Sequence, residues 1–524
     1  MRRTLRLMGP QRLERMGQRS AIKAARYAYA HVPFYRTLYE RHAFDAARMQ
    51  RLTWAEFQQL PTVSKADVLD IADDQLVDQR LNVPGADAHM GRSSGTTTDP
   101  ITWPVGWSEF YTQRTYLKNT LRDLGSDTHR TAVVCLTPVD GSDVFGNLLY
   151  RLFFSIKEET QWPFEIFTAG EDLPTADSIL RYIVRQGYHT FWLTGLPGTM
   201  QHLLDYQAER AQSDPANAMQ WDQLPQKMIW LAGQIVPLTL QARIRRDLRM
   251  PADDLKGIQV MFGSSDSGQL IAQSTPFTVW LQRYAAEHLT LTTHLEQHLG
   301  ITAEHRDKPL LQFVPALSVQ LENDPEVGLL LTTWKHRPLV RYRSNDFALY
   351  WPGRSLIALL DQHAPAWRAD FARYGYGPQA LPTNMMLGMV LGRADDVRIV
   401  NGENITPDVL REALAAANIL PYIRHFKHDT DDALPNDYFV YIELPRGADP
   451  AECAALAAQW RQPLLDALVR QPNARDFYAA HTPGFIDLHL AVRARGTEEF
   501  AGSDQRGKIK YTLRRTKETP VVAD

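Results

Sequence analysis

Cysteine is nearly absent from this sequence: among 524 residues only Cys135 and Cys453 occur. Two thiols so far apart build neither a disulfide framework nor a four-sulfur zinc site, and a reducing, cytoplasmic setting is expected. Long apolar runs are missing as well. None approaches the roughly 20 residues that cross a bilayer, so no membrane partner is expected. Nor is there an excess of basic charge. The 57 Lys and Arg against 60 Asp and Glu leave a net charge of −3, the wrong sign for a nucleic-acid footprint. An anionic ligand must therefore be held by local groups. No glycine-rich loop ends in Gly-Lys-Ser or Gly-Lys-Thr, which excludes a Walker A site. Internal repeats and low-complexity tracts are also missing.

What remains is ordinary globular material, 44% hydrophobic and 22% charged, in a chain long enough for two or more domains. The start, Met1 to Met8, is basic and free of acids until Glu14. It resembles the beginning of a transit peptide, but no secretory apolar region follows, and an amphipathic helix leading into the fold is expected. Residues 1 to about 60 read as helical, with Ala21, Ala24, Ala25 and Ala28 leading to His31-Val32-Pro33-Phe34-Tyr35. Strand-length apolar runs, such as Ala132–Leu136 and Thr190–Leu193, then alternate with helical periods such as Leu238–Leu248. That alternation predicts an α/β sheet protein. The polar stretch 205–225 is expected on the surface, and the Pro- and Gly-rich stretch 351–385 reads as the approach to a domain boundary. Beyond it Thr406-Pro407-Asp408 and Asp449-Pro450-Ala451-Glu452 supply fresh helix starts, and Leu410, Leu414 and Ala417 share a face. They belong to a small α+β domain.

Chemistry concentrates in five places. Ser93-Ser94-Gly95-Thr96-Thr97-Thr98-Asp99-Pro100 sets five hydroxyls around one glycine, a loop able to offer N–H and O–H donors to several phosphate oxygens at once. Phe262-Gly263-Ser264-Ser265-Asp266 follows an apolar run, so an aromatic face, two hydroxyls and a carboxylate stand where a strand ends. In Val340-Arg341-Tyr342-Arg343-Ser344-Asn345-Asp346 an acid after a strand could accept ribose hydroxyls. Gly392-Arg393-Ala394-Asp395-Asp396 opens the second domain, and Gly507-Lys508-Ile509-Lys510 lies near the C-terminus.

In this order and spacing the motifs resemble the adenylate-forming superfamily of acyl-CoA synthetases, peptide-synthetase adenylation domains and luciferases, over nearly the whole chain. The segments Tyr27–Tyr35 and Leu60-Pro61-Thr62-Val63-Ser64-Lys65 look most like the phenylacetate–CoA ligase branch. The resemblance implies a large N-terminal adenylate-forming domain, 1–392, and a small mobile α+β domain, 393–524. It implies that Ser93, Ser94, Gly95, Thr96 and Thr97 form the phosphate loop, and that Phe262, Gly263 and Ser264 line the nucleotide site. Ser265 and Asp266 approach the α-phosphate, with Asp266 the magnesium ligand. Gly233 and Gln234 flank the adenine, Asp346 binds the ribose, and Arg393 assists. Asp395 is the hinge, and Lys508 is the lysine delivered to the α-phosphate and the substrate carboxylate. ATP and Mg²⁺ are the expected cofactors. A small carboxylic acid is the expected substrate, with Phe145, Gly146, Trp192, Gly195 and Pro197 as candidate pocket residues for an aromatic or otherwise apolar acid. CoA is the favoured acceptor, a carrier protein or an amine the alternative, and a nucleotide-binding pseudoenzyme the non-enzymatic rival. A homodimer is one expectation for the assembly.

Three positions depart from the family pattern. Thr98 and Asn345 replace glycines, and Asp266 replaces a glutamate one methylene longer. Asparagine tolerates left-handed backbone better than a β-branched residue does. Other residues take plainer readings. The 16 histidines, His288, His294 and His298 among them, have no ligand spacing backed by carboxylates or cysteines. Trp103, Trp107 and Trp192 are expected in the core, Lys65 at a solvated helix start, and Arg243-Ile244-Arg245-Arg246 on a solvated helix face with Ile244 turned inward.

Overall fold

The computed structural model describes residues 10–78, 80, 87–92, 102–123, 125–137, 139, 144–170, 172–233, 235–264, 269–301, 305–313, 319–324, 327–334, 337–393, 398–400, 403–405, 407–429, 437–469, 487–497, 500 and 512–513. In chain order the strands are β1 (Asp87–Arg92), β2 (Thr102–Gly106), β3 (Thr131–Cys135), β4 (Phe164–Thr168), β5 (Thr190–Gly195), β6 (Gln226–Leu231), β7 (Ile258–Ser264), β8 (Gln269–Gln273), β9 (Leu311–Phe313), β10 (Gln320–Asp324), β11 (Gly328–Thr333), β12 (Leu339–Arg343), β13 (Asp346–Pro352), β14 (Met386–Arg393), β15 (Arg398–Val400), β16 (Glu403–Ile405), β17 (His425–Asp429), β18 (Asp437–Glu443), β19 (Asp487–Arg493) and β20 (Thr512–Leu513).

Within the described residues the largest sheet has nine strands in the order β13-β14-β9-β8-β7-β6-β5-β3-β4. Its half from β4 to β7 is parallel. The crossovers are the helices Val144–Thr160, Leu173–Arg185, Pro197–Ser213 and Leu238–Asp247. Helices on both faces explain why these strands are apolar at nearly every position. In β5, Phe191 and Leu193 face a core with Leu180, Leu203 and Ile244, while Trp192 faces one with Leu117, Phe153 and Ile156. Each such buried side chain contributes roughly 1.5–3 kcal/mol. The chain steps from β3 outward to β4, then returns past β3 to β5, so the strand order reverses there. In open α/β sheets ligands bind outside the C-terminal ends of the strands at such a point.

The N-terminal helices Pro10–His31 and Pro33–Arg41 form a separate layer. Ala21, Ala25 and Ala28 let the first helix approach Tyr35, Tyr39 and Phe57 closely, and Leu339, Val340 and Tyr342 of β12 close this core. A three-stranded antiparallel sheet, β10-β11-β12, carries that strand.

Contacts divide the chain into two compact units, one within Met1–Ile301 and Asp307–Leu391, the other within Thr302–Arg306 and Gly392–Asp524. In the second, Leu410, Leu414 and Trp460 pack from the helices Pro407–Ala416 and Pro450–Val469 onto Tyr438, Val440, Ile442 and Leu488 of a mixed sheet ordered β19-β18-β17-β20. The Asp449 carboxylate accepts the Glu452 amide at 2.8 Å, capping the longer helix as its sequence predicts.

Three expectations need correction. The stretch 205–225 is not a surface excursion throughout. Helix Pro197–Ser213 occupies its first half, and Gln207 is buried because its amide donates to Asp177, itself ion-paired with Arg181 and Arg210. Trp221 is buried against Phe191. Nor is the Pro- and Gly-rich stretch 351–385 the irregular segment its composition suggests, since it contains the helices Gly353–His363 and Trp367–Arg373. Gly353 reads as a loop residue but serves close approach: a Cβ there would lie 2.0 Å from the Pro382 carbonyl oxygen. Trp107, expected in the core, is 46% exposed. Ile244 does turn inward, while Arg245 ties its Nη1 to the Asp254 carbonyl at 2.9 Å. Among the described residues no helix is long and apolar enough to cross a membrane.

Candidate functional site

Parallel pairing puts the C-terminal ends of β3, β5, β6 and β7 at one end of the sheet, and several candidate residues lie there. Gly195 closes β5, where a Cβ would press on Leu136, just beyond β3, at 3.2 Å. Pro197 begins the following helix, its fixed φ suited to a first turn. Gly146 is buried in the first turn of the helix after β3, next to Phe145. Gly233 turns the chain just past β6 with φ of +83°, backbone that glycine adopts without strain. At the end of β7 the register shifts between Phe262 and Gly263. Phe262 packs half-buried on the main core, and Gly263 is exposed. A bulge at a strand end re-aims side chains, as a site rim requires. Trp192 sits lower, in mid-strand, with its ring 4.4 Å from Trp230 and 5.5 Å from Phe153. Its Nε1 and that of Trp230 are buried with no hydrogen-bond partner among the described residues.

Cys135 ends β3 at the same end of the sheet. Burial pushes its thiol up to about 11, so it stays protonated and is a poor nucleophile near neutral pH.

Asp346 opens β13 at the sheet edge, with β14, β9 and β8 between it and β7, and is almost fully buried. Its amide donates to Ser344 Oγ at 3.2 Å, and Ser344 Oγ donates to the Leu329 carbonyl at 3.0 Å. Asn345 between them has φ of +60°. Asparagine is thus in the left-handed backbone that a glycine would adopt freely, as the sequence predicts. Gly328 faces this turn; a Cβ on it would meet the Asp346 carbonyl at 2.5 Å.

The strand leading to Asp346 is buttressed by distant segments. Val63 bridges Tyr342, with Val63 N donating to the Arg341 carbonyl at 3.1 Å and Arg343 N to the Val63 carbonyl at 2.8 Å. The Val340 amide donates to Tyr35 Oη at 3.1 Å, and Arg343 Nε to Thr62 Oγ1 at 2.7 Å. Arg341 pairs through Nε with Glu322 at 3.2 Å, while its Nη1 donates to the Leu60 carbonyl. Burial outweighs Arg341 and holds the Glu322 carboxyl above its usual range. Burial also raises the Tyr35 phenol to about 12. Sequence reasoning missed this brace: the partners stand 281 and 305 residues apart, and the segments Tyr27–Tyr35 and Leu60–Lys65 carry no pairing signal of their own.

No protein-family model and no curated protein matches the sequence. Among solved structures, the open conformation of a 2-hydroxyisobutyryl-CoA ligase in complex with 2-HIB-AMP and CoA is similar, with 15% identity and a TM-score of 0.52 over 88% of this chain and 92% of that chain. The chain has the adenylate-forming fold. The same ligase in its thioesterification state also matches, at 15% identity and a TM-score of 0.46, covering 96% of this chain and 89% of that chain. So does a structure of the fatty acyl-adenylate ligases from E. coli and L. pneumophila, at 13% and 0.48, covering 85% and 70%.

The expected phosphate-loop residues Ser93, Ser94, Gly95, Thr96 and Thr97, together with Thr98, lie outside the described residues, as do Gln234, Ser265, Asp266, Asp395 and Lys508. Ser264 ends β7, and Arg393 ends β14. Among the described residues no cluster of His, Cys, Asp and Glu could hold a metal ion.

Proposed function

We propose that the protein is an ATP-dependent ligase of the phenylacetate–CoA ligase type, which activates a carboxylic acid as its acyl-AMP and passes the acyl group to the CoA thiol. The observation that carries this reading is the position of Gly195, Pro197, Gly233, Phe262 and Gly263. They stand at the C-terminal ends of three neighbouring parallel strands, β5, β6 and β7, the first of which adjoins the reversal of strand order where such sheets bind ligands. The adenylate-forming fold supports it, as does the complex of its ligase neighbour with an acyl-AMP and CoA.

The physical problem is to let a carboxylate attack a polyanion, so charge must be neutralised at the α-phosphorus and the reactants held in line. Ser93 to Thr97 would hold the β- and γ-phosphates of the leaving pyrophosphate. Asp266 would offer a hard oxygen ligand that suits Mg²⁺, which would supply further neutralising charge. Lys508 would bridge the incoming carboxylate and the α-phosphate, then leave with the smaller domain, 393–524, as it turns about Asp395. The loops after β5 and β6 would flank the acid and the adenine, and Asp346 with Arg393 would take the ribose. No side-chain nucleophile is required, in keeping with the protonated Cys135.

The test is pyrophosphate release across a panel of aromatic and aliphatic acids, repeated with CoA, amines and carrier proteins as acceptors. Acid-dependent release, with thioester formed only when CoA is present, is the expected result. Lys508→Ala should lose release by two to three orders of magnitude, about 3–4 kcal/mol, while keeping its fold. No acid-dependent release from any member of the panel would overturn the assignment.

A further inference from the structure

Three histidines from two separate helices meet on one flank of the larger unit. His294 and His298 stand four residues apart on helix Leu289–Leu299, and His363 ends helix Gly353–His363. The rings of His294 and His363 stack with centroids 3.8 Å apart and planes 22° from parallel. The His298 ring stands 6.1 Å from His363 and 6.4 Å from His294. His363 Nε2 is buried and has no hydrogen-bond partner among the described residues.

Among the described residues the surrounding groups form no ion pair with the cluster. On the first helix, His298 Nδ1 lies 2.9 Å from the His294 carbonyl oxygen, and Glu296 is the acid of that helix. On the second, Asp361 accepts from Trp367 Nε1 and from Arg368. The preceding helix, Pro276–Glu287, offers Glu287, and the His288 that follows it is stacked on Tyr284 with Nδ1 at the Tyr284 carbonyl. From β13, Trp351 Nε1 donates to the Leu299 carbonyl, tying the strand to the first helix. Among the described residues no carboxylate pairs with any of the three rings.

Neutral imidazoles stack readily. A second positive charge 3.8 Å from a first is opposed by Coulomb repulsion that no acid among the described residues offsets by pairing with a ring. We propose that His294, His298 and His363 form a proton-operated clasp, which joins helices Leu289–Leu299 and Gly353–His363 when neutral and releases them on mild acidification. Desolvation, with His294 and His298 nearby, holds His363 below its ordinary value. The unfolded chain therefore binds this proton more tightly than His363 does in the folded protein. Stability is fully present above the ordinary histidine value and is lost as pH falls below it. Release would reach further than the two helices. Gly353 N donates to the Met385 carbonyl at 2.7 Å, so the second helix is fastened to the segment entering β14.

Backbone hydrogen exchange of the full chain at pH 7.5 and 5.5, corrected for the intrinsic pH dependence, tests this. Each tenfold weakening of proton affinity in the packed state makes opening about tenfold more frequent once pH is below both values. The expected result is a loss of protection at pH 5.5 confined to the two helices and the entry to β14. His363→Phe keeps a ring for stacking but takes no proton, and should abolish the change. His294→Phe gives a second route to the same answer if that variant folds poorly. Unaltered protection at pH 5.5, or an equal loss in both variants, would overturn the proposal.

Discussion

Arg341 is the residue whose removal should tell most about how the Asp346 turn is held. Its guanidinium stands 3.2 Å from Glu322, and the two side chains are only 10% and 11% exposed. At an effective dielectric near 20 such a pair attracts by about 5 kcal/mol, much of it offset by the loss of hydration. Deleting one partner is costlier than deleting both, because the survivor stays buried and unpaired. Arg341→Met also removes the donor to the Leu60 carbonyl, so we expect it to cost about 3–5 kcal/mol. Glu322→Gln should cost less, about 1–2 kcal/mol, because the guanidinium keeps Leu60 and an amide oxygen can still accept. In the double variant neither charge remains, and stability should recover so that the coupling is about 1–3 kcal/mol. The pH dependence gives a second reading. Because the folded state raises the Glu322 carboxyl, the unfolded chain gives up this proton first. That contribution is present below the ordinary glutamate value and is lost as pH rises through the folded one. Glu322→Gln should therefore compare better with wild type at pH 7 than at pH 4. Chemical denaturation of the four proteins, followed by circular dichroism, is the assay. An Arg341→Met variant within about 0.5 kcal/mol of wild type, or a double variant no better than the sum of the singles, would refute the reasoning.

Other expectations follow from single positions. With φ of +60° at Asn345, Asn345→Val should lose about 1–2 kcal/mol while Asn345→Gly stays close to wild type, as melting curves can show. Asp266→Ala should shift the Mg²⁺ titration of pyrophosphate release to higher concentration, and Asp266→Glu should restore it; coincident curves for wild type and the alanine variant would assign the acid to structure. Asp395→Pro fixes φ at about −65° and should still make acyl-AMP in a single turnover while transferring it poorly from preformed acyl-AMP. Undiminished transfer would remove Asp395 as the hinge.

Much of the architecture is legible in residue order because it rests on local physics. Alternating apolar runs and helical periods predict an α/β sheet protein, a strand-length run over Thr190–Leu193 and a strand that ends near Phe262. The asparagine at position 345 even announces its left-handed backbone, since few other side chains tolerate it. Composition misled where polarity was used inside. Gln207 looks like a surface residue until it is seen donating to Asp177, whose charge Arg181 and Arg210 neutralise, and Gly353 looks like a loop until the Pro382 carbonyl is found against it. The brace behind Asp346 and the histidine clasp could not be read at all. Val63 meets Tyr342, Tyr35 meets Val340 and His363 meets His294 only because sheet order and helix packing close very long loops. Local sequence sets what each segment prefers to be; which segments touch is decided by the burial of their shared apolar faces, and contacts between charges and rings follow from that.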